Sequence, residues 1–162
     1  MIKIRYVNLS VKNKNLRKDY IQTLKKIFDH GRFILGPEVS LLEKKLAKFC
    51  NRKYAIATGS GTDALFLAVK ALGINTNDEV ITTPMSWVSS SNAIKVNGAE
   101  PIFADIKDDL NIDENKIEKL ITSKTKAILF VNFTGKVCEV DHLKKIASKH
   151  GLKLIEDAAK SF

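Results

Sequence analysis

The sequence predicts an α/β fold, a mostly parallel sheet with helices on both faces. Three observations lead there. From Tyr54 onward, short apolar runs alternate with amphipathic stretches of helical length. The short runs are apolar almost throughout, as expected of strands buried on both faces. And Tyr54–Phe66 passes directly from an apolar run through Gly59-Ser60-Gly61-Thr62 into helical spacing, a strand, a turn and a helix in succession.

Taken in order, residues 1–15 form an extended arm rich in Lys and Asn. A helix over 16–29 carries Leu16, Tyr20, Leu24, Ile27 and Phe28 on its apolar face, and His30-Gly31-Arg32 ends it. Phe33-Ile34-Leu35-Gly36-Pro37 is a loop whose apolar residues must pack on the core or on a second subunit. Val39, Leu42, Leu46 and Phe49 then mark a helix over 38–49. Strands follow over 54–58, 79–83, 101–105, 126–131 and 152–156. Helices are expected over 61–72, 86–96, 114–121 and 140–150, with Gly73 and Gly151 closing two of them.

Composition narrows the function. The chain has 162 residues, one domain's worth, and a net charge of +9. Its lysines are scattered among acids along helices (Glu43-Lys44-Lys45, Glu118-Lys119), with no basic run interleaved with aromatics. A solvated surface accounts for the charge better than nucleic-acid binding does. Two cysteines without metal-ligand spacing point to free thiols in a reducing compartment. The first residues lack an apolar signal-peptide core, and no run has the length of a membrane span, so a cytoplasmic location is expected.

In a parallel sheet, ligands gather beyond the carboxyl ends of the strands. The residues following each strand therefore share one rim: Gly59–Thr62, Pro84–Trp87, Asp105, Asn132–Gly135 and Asp157–Lys160. The helix opening at Gly61 offers unpaired amides and the positive end of its dipole, which suits a phosphate. Each feature has a plainer role too: Ser60 or Thr62 as helix cap, Trp87 as core, Asp157 as the cap of a following helix, Asp105 as a turn residue. Gly59, Gly61 and Ala64 also satisfy a dinucleotide fingerprint, but the next strand ends in Thr83-Pro84-Met85, without the acid that would hold a ribose. Together the rim residues describe a site for a flat, phosphorylated, nitrogenous aromatic: phosphate on the helix end, ring against Trp87, acid against a ring nitrogen.

Four stretches, Gly31–Glu38, Gly59–Leu65, Asp78–Thr82 and Glu156–Ala159, stand in the order and spacing of the DegT/DnrJ/EryC1/StrS aminotransferases, and the chain resembles that family from about Arg17 onward. The resemblance implies the large domain of a fold-type I transferase that uses pyridoxal phosphate (PLP). It implies that Gly61 and Thr62 bind the PLP phosphate, that Trp87 stacks on the pyridine ring and that Asp157, as catalytic residue, pairs with the pyridine nitrogen. Lys160 stands where the family has Gln or His facing the phenolic oxygen. Asn132-Phe133-Thr134-Gly135 departs from the family's His-Leu-Tyr-Gly-like stretch. The family's Schiff-base lysine and C-terminal domain would follow Phe162, so residues 16–162 are expected to be the N-terminal part of the large domain, inactive alone. The implied reaction is transamination of a nucleotide-linked keto-sugar with an amino acid, glutamate by preference, as donor, in a homodimer. A sugar dehydratase of the same family, or a non-catalytic fragment, are the alternatives.

Overall fold

The computed structural model describes residues 9–161. The chain divides into two compact units, the first ending at Ala57 and the second beginning at Thr58.

The first unit holds two helices, α1 (Lys14–His30) and α2 (Pro37–Phe49). Asn13 caps α1 by accepting the amides of Asn15 and Leu16, and Gly31 ends it in the left-handed conformation. The helix thus takes in the last two residues of the expected arm, whose residues 1–8 lie outside the described ones. Pro37 opens α2, where its missing N–H costs nothing. The predicted apolar stripe of α1 is present, and among the described residues Leu16, Tyr20, Leu24 and Phe28 are exposed.

The second unit is a four-stranded, wholly parallel sheet in the order β2-β1-β3-β4. Its strands are β1 (Glu79–Thr82), β2 (Glu100–Phe103), β3 (Thr125–Val131) and β4 (Lys153–Asp157). The helices are α3 (Gly61–Ala71), α4 (Ser89–Val96) and α5 (Val140–His150). Strand periodicity of two separates the core into two layers. Val80, Ala127, Leu129 and Val131 join Leu65 and Val69 of α3 and Ala93 and Ile94 of α4. Ile81, Ile128 and Phe130 face the other way, onto Ile112, Ile117, Cys138, Leu143 and Ile146. Covered on both faces, β3 is apolar without a break from Ala127 to Val131, as the sequence indicated. Burial pushes the Cys138 thiol up to about 11, which makes it an inert part of this core. Pro101 falls on β2, at one end of the strand order, where a missing amide is tolerated.

Three expectations are corrected. Tyr54–Thr58 is not a strand: a strand exists only through a ladder partner, and among the described residues β1 to β4 pair with one another and not with it. Within this segment Tyr54 and Ile56 are exposed, and the Ala57 amide instead donates to Glu43 Oε1 at 2.8 Å. Residues 114–121 form two 3₁₀ turns (Glu114–Lys116 and Glu118–Leu120) rather than an α-helix. The chain is anchored there by Asp113 capping the Asn115 amide and by Ile117 buried in the core. Finally, α4 begins at Ser89 instead of residue 86.

Candidate functional site

The site lies where β1 and β4 end and α3 and α4 begin. Ser60, in extended backbone conformation, accepts the Asp63 amide through its side chain at 3.1 Å and the Ala64 amide through its carbonyl. This fixes the first turn of α3 and leaves the earlier amides, of Gly61 and Thr62, without an acceptor inside the helix. A methyl group built on Gly61 would meet no heavy atom within 4 Å, so the space beside this backbone is open.

A cavity of about 440 Å³ opens at this point, lined by Gly61 and Thr62 of α3, Ser86, Trp87 and Ser89 around the start of α4, Phe133, and Asp157 and Lys160 at the end of β4. All five residues singled out in the sequence, Gly61, Thr62, Trp87, Asp157 and Lys160, therefore share one cavity. Trp87 is 73% exposed, an unusual state for the only tryptophan unless its ring is meant to meet something. Asp105, placed on the same rim by the sequence, does not line the cavity. Its carboxylate is held by Lys116 Nζ at 2.9 Å, which lowers its pKa.

Asp157 is positioned by pairing opposite Val131 and by donation of the Asn132 amide to its carbonyl at 3.1 Å. Its Oδ1 accepts the Ala159 amide and its Oδ2 the Ser90 hydroxyl, both at 3.2 Å. Lys160 places its Nζ 4.6 Å from the centroid of Phe133, a cation over an aromatic face. The buried Asn132 supports both residues of that pair. Its amide donates to Glu156 Oε1 and Ser161 Oγ while its oxygen accepts the Cys138 amide, clamping the turns on either side.

Ser86 lay on the rim expected from the sequence, but Ser89 and Ser90 were not foreseen. Ser89 and Ser90 are buried, Thr62 Oγ1 and Ser89 Oγ lie 2.8 Å apart, and Ser86 pairs with Ser90 at 2.8 Å. The run Ser86-Trp87-Val88-Ser89-Ser90-Ser91 was the available signal: small hydroxyl residues at a helix start beside the single Trp.

This geometry can hold an anion at the α3 end, a flat ring beside Trp87 and a hydrogen-bond donor at Asp157. Fold and site together define an α/β domain with a cavity at a helix end, beyond the carboxyl ends of parallel strands. Residues 14–162 match the DegT/DnrJ/EryC1/StrS aminotransferase family, and the chain belongs to that family. It is 45% identical, over 88% of its length, to the spore coat polysaccharide biosynthesis protein SpsC of Bacillus subtilis, covering 37% of that protein. It is 41% identical, over 95% of its length, to a UDP-2-acetamido-2-deoxy-3-oxo-D-glucuronate aminotransferase of Pseudomonas aeruginosa, covering 44% of it. Among solved structures it is similar to NtdA from Bacillus subtilis with bound cofactor PMP, with a TM-score of 0.88, 38% identity and coverage of 93% of this chain and 35% of the other. The chain spans less than half the length of these relatives.

Proposed function

We propose that residues 16–162 form the N-terminal part of the PLP-binding large domain of an aminotransferase that transfers an amino group from an amino acid, glutamate in our reading, to the keto group of a nucleotide-linked sugar. The observation that carries it is the single cavity in which a helix N-terminus, an exposed tryptophan and a hydrogen-bonded aspartate meet. The donor set fits the cofactor: free amides and a hydroxyl for the phosphate, an indole face for the ring, and a carboxylate for a protonated ring nitrogen. In this reading Gly61 and Thr62 hold the phosphate and Trp87 lies along the ring. Asp157 keeps the proton on the ring nitrogen, and Lys160 offers its ammonium to the ring's hydroxyl oxygen. Bound PLP supplies the electron-accepting ring that lets a proton leave the amino acid's Cα. The sugar-nucleotide relatives support the substrate class.

The full-length protein is a homodimer in this reading, with the exposed Phe33, Ile34 and Leu35 near the interface. A cytoplasmic location accords with the free thiols of Cys50 and Cys138. No helix among the described residues is long and apolar enough to cross a membrane.

The direct test uses the single tryptophan. Pyridoxamine phosphate (PMP), which has no aldehyde to label surface lysines, is titrated into the purified protein while Trp87 fluorescence is followed. Saturable quenching that inorganic phosphate reverses supports the reading. A flat titration contradicts it.

A further inference from the structure

Ser90 lies in the first turn of α4 and is only 1% exposed. Its hydroxyl reaches Asp157 Oδ2 at 3.2 Å, bridging 67 residues of sequence, and on its other side Ser86 Oγ stands 2.8 Å away. A carboxylate oxygen can only accept, and a serine hydroxyl has a single proton to give. The Ser90 proton is therefore committed to Asp157, which makes Ser86 the donor in the serine pair. The three groups form a directed chain, Ser86 to Ser90 to Asp157, that starts on the cavity wall and ends on the carboxylate.

Oδ1 is held independently by the Ala159 amide at 3.2 Å. Two separate elements, α4 and the turn after β4, thus grip the two oxygens and fix the rotation of the carboxylate. Each oxygen retains a second lone pair, and that rotation decides where it points. Burying a hydroxyl has a cost unless its partner is in place, and alanine would carry no such cost at a buried helix position. The burial of Ser90 is accounted for by what it bonds to.

We propose that Ser90 is a positioning residue: it sets the orientation of the Asp157 carboxylate so that the free lone pair meets the ring N–H of the ligand. The proposal rests on the reading that this cavity takes a phosphorylated pyridine. It adds a role for a side chain that does not touch the ligand and acts only through Asp157.

A double-mutant cycle separates this role from simple support of the fold. PMP affinity is measured by Trp87 quenching for the unsubstituted protein, Ser90→Ala, Asp157→Ala and the double variant, with circular dichroism confirming that each is folded. Ser90→Ala is expected to weaken PMP about tenfold, the equivalent of one hydrogen bond to a charged group. In the Asp157→Ala background, where Ser90 has no acceptor at position 157, the same change should cost nothing further. If Ser90→Ala fails to fold, Ser90→Cys, close in shape and a weak donor, takes its place in the cycle. Equal losses in both backgrounds, or no loss in either, overturn the proposal and leave the cofactor reading standing. Absence of PMP binding by the unsubstituted protein overturns the cofactor reading, and the proposal with it.

Discussion

Thr62 Oγ1 and Ser89 Oγ stand 2.8 Å apart and join the first turn of α3 to the first turn of α4. Each hydroxyl has one proton, so an anion at the α3 end settles the direction: Thr62 gives its proton to the anion and accepts from Ser89. Thr62→Ala should therefore weaken PMP about tenfold by removing a donor to a charged oxygen. Thr62→Ser should retain most of the affinity. Titration by Trp87 quenching checks both, and equal affinities for Thr62→Ala and the unsubstituted protein would refute the phosphate assignment.

Asp157 is the residue on which the chemistry should depend most. On the proposed function, Asp157→Ala is expected to lower amino transfer by about ten- to a hundredfold, the rate equivalent of one lost charge-assisted hydrogen bond. Some PMP binding should survive, because the phosphate contacts on α3 are untouched. Steady-state release of 2-oxoglutarate from glutamate measures the first effect, and near-normal turnover would remove the aspartate from its assigned role.

Gly98 has φ of +90°, and a methyl group there would lie 2.8 Å from Thr76 Oγ1 and 3.2 Å from the Thr76 amide nitrogen. Gly73 also has positive φ, +73°, but nothing within 4 Å. Gly73→Ala should therefore cost about 1 kcal/mol for backbone conformation alone, while Gly98→Ala adds a steric clash and should cost about 2–3 kcal/mol. Urea denaturation of the two variants side by side tests the difference, and equal midpoints would show that the Thr76 contact yields freely.

Glu118 accepts hydrogen bonds from Lys149 at 2.8 Å and His150 at 2.9 Å. These bonds lower its pKa from an ordinary 4.5 to about 2. A depressed folded-state value means the interaction favours the folded protein above the unfolded carboxylate's pKa and is lost as pH falls through the folded one. Thermal midpoints should thus fall between pH 4.5 and 2 more steeply in the unsubstituted protein than in Glu118→Gln. The effect is small, because the group is exposed and screened by solvent. Parallel curves for the two proteins over that interval would count against the shift.

Much of this was legible in the sequence because each signal was local. Ser60, Gly61 and Thr62 mark a helix start within a few residues, and the apolar run Ala127–Val131 in β3 fits a strand covered on both faces. Tyr54–Thr58 has the same local character and still forms no strand, because pairing is decided by a partner and not by composition. Residues 114–121 carry helix-compatible residues, yet the Asp113 cap and the burial of Ile117 yield 3₁₀ turns. The Ser90–Asp157 contact joins residues far apart in the chain, and nothing near either residue announces the other.

The parallel arrangement of the sheet bears on how the protein acquires its site. Parallel neighbours cannot be joined by a tight turn, so every pairing spans a crossover. The cavity draws its walls from the start of α3, the start of α4, the turn after β3 and the end of β4. Loop-closure entropy must be met before such distant contacts return anything, which slows folding relative to a helical bundle of equal length. The cavity is complete only once β4, which carries Asp157, has docked beside β3. A ligand that occupies it reports on the finished sheet, and by mass action stabilises only chains that have completed it.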